Sequence, residues 1–172
     1  MIIIRRADMS DKDIARFLSR IDKREDCWIW TGSSRTSHGG AERGKISFKG
    51  REVYAYRFSY AYFTGECPTN LQIDHMCHNT MCVNPAHLQA VTNEENKQNT
   101  NGAYKNNKYS KIRGVQWHKK AKKWRVRVTV NGVEHYCGLF DSIEEAEQTA
   151  IKMRNKLMTN NLLDRTNERV KP

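Results

Sequence analysis

The chain has 172 residues, 38% of them hydrophobic, and Lys plus Arg outnumber Asp plus Glu by 30 to 19, a formal net charge of +11. That length suits one good-sized domain or two small ones, the charge suits a polyanionic partner, and no apolar run approaches the roughly 18 residues of a membrane span. Five cysteines, an odd number and sparse for the length, argue against a secreted disulfide scaffold and for reduced thiols or metal ligands.

The opening Met1-Ile2-Ile3-Ile4-Arg5-Arg6 is too short for a signal peptide and its charges follow the apolar run, so a cytoplasmic location is expected. Charge is uneven: residues 1–100 hold 14 basic and 12 acidic side chains, residues 101–172 hold 16 and 7. Between Lys105 and Arg127 there are ten basic residues and no acidic one. Four of the five cysteines precede residue 100. Chemistry is therefore expected in the first part and polyanion attraction in the second, with the polar, Asn-rich stretch 96–107 as the seam.

Ser10 to Arg20 reads as a helix, with Ile14, Phe17, Leu18 and Ile21 at spacings of three and four and Ser10-x-x-Asp13 as its cap. Cys27-Trp-Ile-Trp30 reads as a short strand, and residues 32–44 as a Gly- and Ser-rich loop. Lys45–Phe48 and Arg51–Tyr54 predict a hairpin, and Tyr56 to Phe63 a helix closed by Gly65.

Cys77-x4-Cys82-x4-His87 puts three soft or borderline ligands within eleven residues, and Asn84-Pro85 forces a turn inside the group. Zinc takes four such ligands in a tetrahedron. The fourth is Cys27 or Cys67, with Cys27 favoured because Trp28 and Trp30 beside it could form a dry shell. Asp74-His75 ends an apolar strand, Leu88–Val91 is the next strand, and Thr92-Asn-Glu-Glu95 is a capping box that starts a helix bearing Asn96. Asp74 and Asn96 offer oxygen ligands suited to a hard cation such as Mg²⁺ (or Mn²⁺). His75 titrates near pH ~6.5, which suits a general base.

In the basic part, Lys111–Trp117 reads as a strand, and Trp124–Val130 alternates, with Trp124, Val126, Val128 and Val130 on one side and Arg125, Arg127 and Thr129 on the other. Asn131-Gly132 is a hairpin turn signal, Val133–Leu139 is the third strand, and Ser142-x-x-Glu145 caps a helix with an Ile143, Ala146, Ala150, Met153, Leu157 stripe. The sheet face away from that helix is expected to be wholly basic. It carries Arg113, Gln116, His118, Arg125 and Arg127 as candidate readers of base edges, with Lys119, Lys120, Lys122 and Lys123 on phosphates. The polar tail after Met158 reads as loosely ordered.

The stretch Leu71 to Asn96, containing Asp74-His75, the Cys-x4-Cys-x4-His group and Asn96, closely resembles the HNH or ββα-metal nucleases. With its cysteines it is similar to the His-Cys box and phage HNH homing endonucleases. Cys27-Trp-Ile-Trp-Thr-Gly32 and Tyr56-Arg57-Phe-Ser-Tyr60 look like the family's opening Cys-Trp and its His-Arg helix, with Tyr56 where the family often has His. The resemblance implies that His75 activates water and that Asp74 and Asn96 hold the catalytic Mg²⁺. It implies a structural Zn²⁺ on Cys27, Cys77, Cys82 and His87, with Asn84 orienting the loop and the base and Arg57 touching a phosphate. Ile112-Arg-Gly-Val115, Trp124, Gly138–Asp141 and Glu144–Ala150 resemble the APETALA2-type DNA-binding domain.

The fold implied is α+β: a zinc-stabilised ββα-metal module followed by a small three-stranded antiparallel sheet packed on one helix. The implied domains are a nuclease domain over 1–100 (core about 25–100), a linker over 101–108, an APETALA2-like domain over 109–160 and a tail over 161–172. The implied function is site-specific cleavage of double-stranded DNA, of the homing type and of phage origin, by a monomer or homodimer with no membrane partner. Two alternatives are a restriction-type or packaging-associated HNH nuclease and a DNA-binding regulator with an inactive nuclease module. On this division, deleting residues 105–172 is expected to spare the nuclease fold.

Overall fold

The computed structural model describes residues 2–24, 26–36, 40–100, 102–103, 107–162 and 164–165. Of the expected linker, residues 101 and 104–106 lie outside the described residues, as do 163 and 166–172 of the expected tail. Among the described residues no helix is long and apolar enough to cross a membrane. Backbone proximity divides the chain into two compact units, Met1–Asn93 and Glu94–Pro172.

In the first unit β1 (Ile4–Arg5) leads to α1 (Asp11–Leu18), whose N-cap Ser10 forms a reciprocal capping box with Asp13. Ile21 does not extend the α1 stripe. It opens β2 (Ile21–Arg24), paired Ile21 to Trp30 with β3 (Cys27–Trp30). The expected loop over 32–44 contains β4 (Ser34–Thr36) and the first residues of β5 (Glu42–Phe48), paired Ser34 to Gly44. Two of its glycines, Gly32 and Gly44, serve packing: a Cβ on Gly44 would lie 2.3 Å from Trp30 Cδ1, and one on Gly32 would lie 2.5 Å from Trp30 Cζ2. The backbone must close on both edges of the indole, so a composition that reads as loop is a strand laid against a tryptophan.

Strand β6 (Arg51–Tyr54) completes the three-stranded sheet β4-β5-β6 and runs into α2 (Ala55–Thr64), which Gly65 ends at φ 101°. Trp30, Phe17, Phe48, Phe58 and Ile46 form the buried centre. The Phe17 ring lies 5.8 Å from Trp30 and 5.1 Å from Phe58, and Phe48 meets Phe58 edge-on at 5.6 Å. Strand β7 (Glu66–Cys67) pairs with β1. Strands β8 (Gln72–His75) and β9 (Leu88–Val91) form an antiparallel pair, and α3 (Asn93–Gln98) follows.

The second unit holds β10 (Val115–His118), β11 (Lys123–Val130), β12 (Val133–Phe140) and α4 (Ile143–Leu157), in sheet order β10-β11-β12. Asn131 and Gly132 both have positive φ, 51° and 79°, as a tight hairpin turn requires. Val115, Val126, Ala146 and Ala150 make the core where α4 crosses the sheet. The first strand begins four residues later than its sequence pattern suggests.

A buried polar network lies beside that core. Asn160 and Asn161 are buried, so residues 159–162 are packed where the sequence suggested looseness. The Gln98 side-chain oxygen accepts from the backbone N–H of Thr159 at 2.9 Å and of Asn160 at 3.0 Å. Asn160 Nδ2 donates to the Glu95 carbonyl at 3.1 Å, and Arg113 Nη1 to the Gln98 carbonyl at 2.7 Å. The C-terminal end of α3 thus finds its hydrogen-bond partners in the second unit, as a helix end must find some. Deleting residues 105–172 would strip these partners from the end of α3.

Arg154, 4% exposed, grips Asp164 through Nε at 2.5 Å and Nη2 at 2.9 Å and donates to the Arg113 carbonyl. Burial by itself would raise the Asp164 carboxyl, but hydrogen bonds from Arg154 and Asn161 and the Arg154 charge outweigh it and hold it below the usual 3.8.

Two outcomes follow for stability. Gly44→Ala should destabilise the first unit by about 1–3 kcal/mol through overpacking against Trp30, read by denaturant unfolding. Asp164→Asn leaves a buried guanidinium without its anion and should cost about 3–5 kcal/mol. Because the folded pKa of Asp164 is depressed, its contribution is present above the unfolded value and is lost as pH falls through the folded one. The acid arm of an unfolding-against-pH curve should therefore be steeper in the parent than in Asp164→Asn.

Candidate active site and metal centre

Strand β3 lies against the segment 81–83: Trp30 N–H donates to the Met81 carbonyl at 2.9 Å and Val83 N–H to the Trp28 carbonyl at 2.8 Å. That pairing carries Cys27 across to Cys82. A turn at His78, φ 56°, folds Cys77 back, and a short 3-10 turn, Pro85–His87, delivers the imidazole. The ligand atoms of Cys27, Cys77, Cys82 and His87 all lie within 4.8 Å of one another, a group that could hold a metal ion. His87 Nδ1 is 3.7 Å from Cys27 Sγ and 3.6 Å from Cys82 Sγ. The alternative fourth ligand, Cys67, is 1% exposed in β7 opposite Ile4, and burial pushes its thiol up to about 11. Cys27 is the one the fold brings to the group.

The sulfurs are electrostatically interdependent. The Cys77 thiol donates to Cys82, which lowers Cys82 and raises Cys77, and burial raises Cys27. A cation can take the place of such protons, because thiolate is the ligating form. Asn84 is built into the same knuckle. Its Oδ1 accepts from Ala86 N–H at 3.0 Å, its Nδ2 donates to the Asp26 carbonyl at 2.6 Å, and its own N–H points at Cys82 Sγ at 3.4 Å. These bonds fix the loop that carries two of the ligands.

His75, at the end of β8, is 8% exposed. Its Nε2 lies 3.1 Å from the Cys82 carbonyl oxygen. A carbonyl can only accept, so Nε2 carries the hydrogen and Nδ1 of the neutral ring is the basic nitrogen. Burial lowers the imidazole pKa below 6.5. The Arg43 charge adds to this, and the Cys82 sulfur, the Cys82 carbonyl and Asp74 oppose it. Tyr56 meets the ring edge-on at 4.8 Å. The half-buried Asp74 carboxylate accepts from Gln89 Nε2 at 3.3 Å across the β8–β9 pair. Arg57, in the first turn of α2, donates to the Pro68 carbonyl. Asn96 is half-buried on α3, in the part of that helix belonging to the second unit. Arg43 escapes a reading of the sequence because it falls in the stretch taken for a loop.

In the second unit, Gln116, Arg125 and Arg127 share a sheet face: Gln116 Oε1 accepts from Arg127 Nη2 at 2.8 Å and from Arg125 Nη2 at 3.3 Å. That face is not wholly basic, since Glu134 pairs with Arg127 Nη1 at 2.8 and 3.0 Å. The expected place of Arg113 on the first strand is also corrected. It precedes β10, and its guanidinium donates to the Gln98 and Lys97 carbonyls at 2.7 and 3.4 Å. His118 accepts the Ala121 N–H on Nδ1 at 3.1 Å and so closes the turn, where Lys119, Lys120 and Lys122 are exposed. Lys123 pairs with Asp141 at 2.9 Å.

Two family models match the chain: HNH endonuclease over residues 53–98 and AP2 domain over residues 110–159. No curated protein and no solved structure matches. The first match spans Asp74, His75, three of the four Cys/His ligands and Asn96, and the second spans the three-stranded sheet and α4. The two matches follow one another in the order HNH endonuclease, then AP2 domain, the arrangement that the sequence resemblances implied.

Proposed function

We propose that this protein is a metal-dependent, site-specific DNA endonuclease of the homing type, with His75 as its general base. The observation that carries the reading is the bond from His75 Nε2 to the Cys82 carbonyl. It assigns the proton to Nε2, leaves Nδ1 to accept one, and ties the base to a residue of the Cys/His group. With its pKa lowered by burial, the ring is neutral at pH 7 and ready to take a proton.

The geometry of the Cys/His group suits zinc. Tetrahedral bonds of about 2.3 Å to sulfur and about 2.0–2.1 Å to nitrogen give S···N edges of about 3.6 Å, against 3.7 and 3.6 Å for His87 with Cys27 and Cys82. Zinc there is structural, because four protein ligands leave no open position. Asp74 and Asn96 are the oxygen ligands proposed for a second, hard ion, Mg²⁺ or Mn²⁺. Held by these two residues, such an ion would supply electrostatic stabilisation of the charge that grows on the phosphodiester. His75 Nδ1 takes a proton from water, whose oxygen attacks phosphorus in line with the leaving 3′ oxygen. Arg57, through the N–H groups not engaged by Pro68, steadies a neighbouring phosphate. Asn84 acts at one remove, holding the ligand loop. The Gln116–Arg125–Arg127 face and the lysine turn of the AP2 domain select the site, and their presence beside a nuclease domain favours a long target, which phosphate contacts alone could not discriminate.

His75→Ala should retain zinc and duplex binding and lose cleavage by about 10²–10⁴-fold, measured by single-turnover nicking in Mg²⁺. Cleavage at the parental rate would remove His75 from the role, and cleavage without any added divalent ion would remove the second metal. Zinc content should fall in Cys27→Ser and stay at the parental level in Cys67→Ser, by metal analysis of the purified proteins. Run-off mapping of cleavage on a genomic library should return a long, degenerate target; a short palindrome would instead place the protein among restriction-type enzymes.

A further inference from the structure

The sheet β4-β5-β6 has two unlike faces. Gly44, Ile46, Phe48 and Val53 are buried on one. By strand alternation Arg43, Lys45 and Ser47 lie on the other, opposite Arg35, Tyr54 and Glu52 in register. Three cations therefore share this face with one carboxylate, and Glu52 is already held by Lys45 at 2.7 Å. Arg35 and Arg43 sit directly across from each other, a like-charge pairing that destabilises a sheet. Among the described residues neither makes an ion pair within 4.0 Å.

The same face leads to the candidate active site. Tyr54 stacks on Tyr56 with ring centres 5.4 Å apart and planes 18° from parallel, and Tyr56 touches His75. A groove of about 440 Å³ opens beside Tyr54 and Tyr56, lined by Lys45, Arg51, Glu52 and Arg57 among others. Thr80 Oγ1 donates to the Glu42 carbonyl at 2.6 Å, so the start of β5 is tethered to the loop between Cys77 and Cys82. The cationic strand is thus fixed relative to the ligand loop and to the residue that accepts from His75.

We propose that this outer face is a second DNA-binding surface, in which Arg35 and Arg43 hold phosphates of the duplex backbone flanking the scissile bond. A like-charge arginine pair that makes no ion pair within 4.0 Å among the described residues, Arg35 acting on the Lys45-held Glu52 only from farther off, is relieved when a polyanion lies across it, and the face leads to the base. This rests on the nuclease reading above but adds a surface that the first unit carries by itself, where net charge gave no hint: residues 1–100 are nearly neutral, with 14 basic and 12 acidic side chains.

The test is duplex-DNA affinity against salt, using the full-length chain on a His75→Ala background so that the DNA is not cut. Arg35→Gln combined with Arg43→Gln should reduce the slope of log K against log salt by about 1.8, two phosphates at about 0.9 each, and weaken binding about tenfold or more near 0.1 M salt. Arg35→Lys with Arg43→Lys keeps the charge and should keep the slope. Zinc content and melting temperature of both variants should match or exceed those of the His75→Ala parent, since repulsion is relieved or unchanged. An unchanged slope and affinity in the Gln variant would overturn the proposal, and cleavage by the His75-intact protein would then leave the nuclease reading in place. A His75-intact protein that shows the predicted slopes yet never cuts would overturn the nuclease reading and leave this surface in place.

Discussion

The backbone carbonyl of Cys82 accepts a hydrogen bond from His75, while the side chain of the same residue belongs to the Cys/His group. Most of the first unit serves that one residue. Strand β3 pairs with its neighbours Met81 and Val83, Asn84 points its N–H at the sulfur, and Ser59 in α2 donates to the Val83 carbonyl at 2.6 Å. A histidine this buried needs a fixed acceptor, because an imidazole N–H without a partner in low dielectric is costly. The loop that supplies the acceptor is held to β3 by the Ile29–Cys82 bridge. A metal ion held by the Cys/His group would cross-link that loop locally.

That core is organised around Trp30. Its indole lies flat against two glycines and stacks on Phe17, with its Nε1–H donating to the Ser33 carbonyl at 3.0 Å. Trp30 and Cys27 are the two ends of one four-residue strand, so the residue that anchors the aromatic centre also sets where the first ligand falls. Core packing and ligand placement are therefore not separable in this unit. Disturbing the indole shifts the strand, and shifting the strand moves a sulfur.

The second unit solves a different problem. Its apolar core is four small residues, and much of its order comes from satisfied polar groups: Gln98, Asn160, Asn161 and the Arg154–Asp164 pair. Networks of this kind specify one arrangement only when every member is paired. The consequence is that the end of α3 belongs to the network, even though the HNH family match runs through residue 98. The boundary of the sequence family and the boundary of the compact unit do not coincide.

Much of this was legible in the residues themselves. Spacing alone located the Cys-x4-Cys-x4-His group, the Asp-His pair at a strand end, the helix over 143–157 and the Asn-Gly hairpin, because each depends on neighbours in sequence: ligands in one loop, side chains on one face, a turn that needs positive φ. Four things needed the tertiary structure. Gly44 reads as loop until an indole from another strand is placed against it. Cys27 rather than Cys67 is settled by cross-chain pairing. Arg113 reads as a sheet cation until the carbonyls of α3 come within its reach, and a polar tail reads as loose until buried partners receive its asparagines. In each case the deciding contact joins residues far apart in the chain, and local propensity carries no information about it.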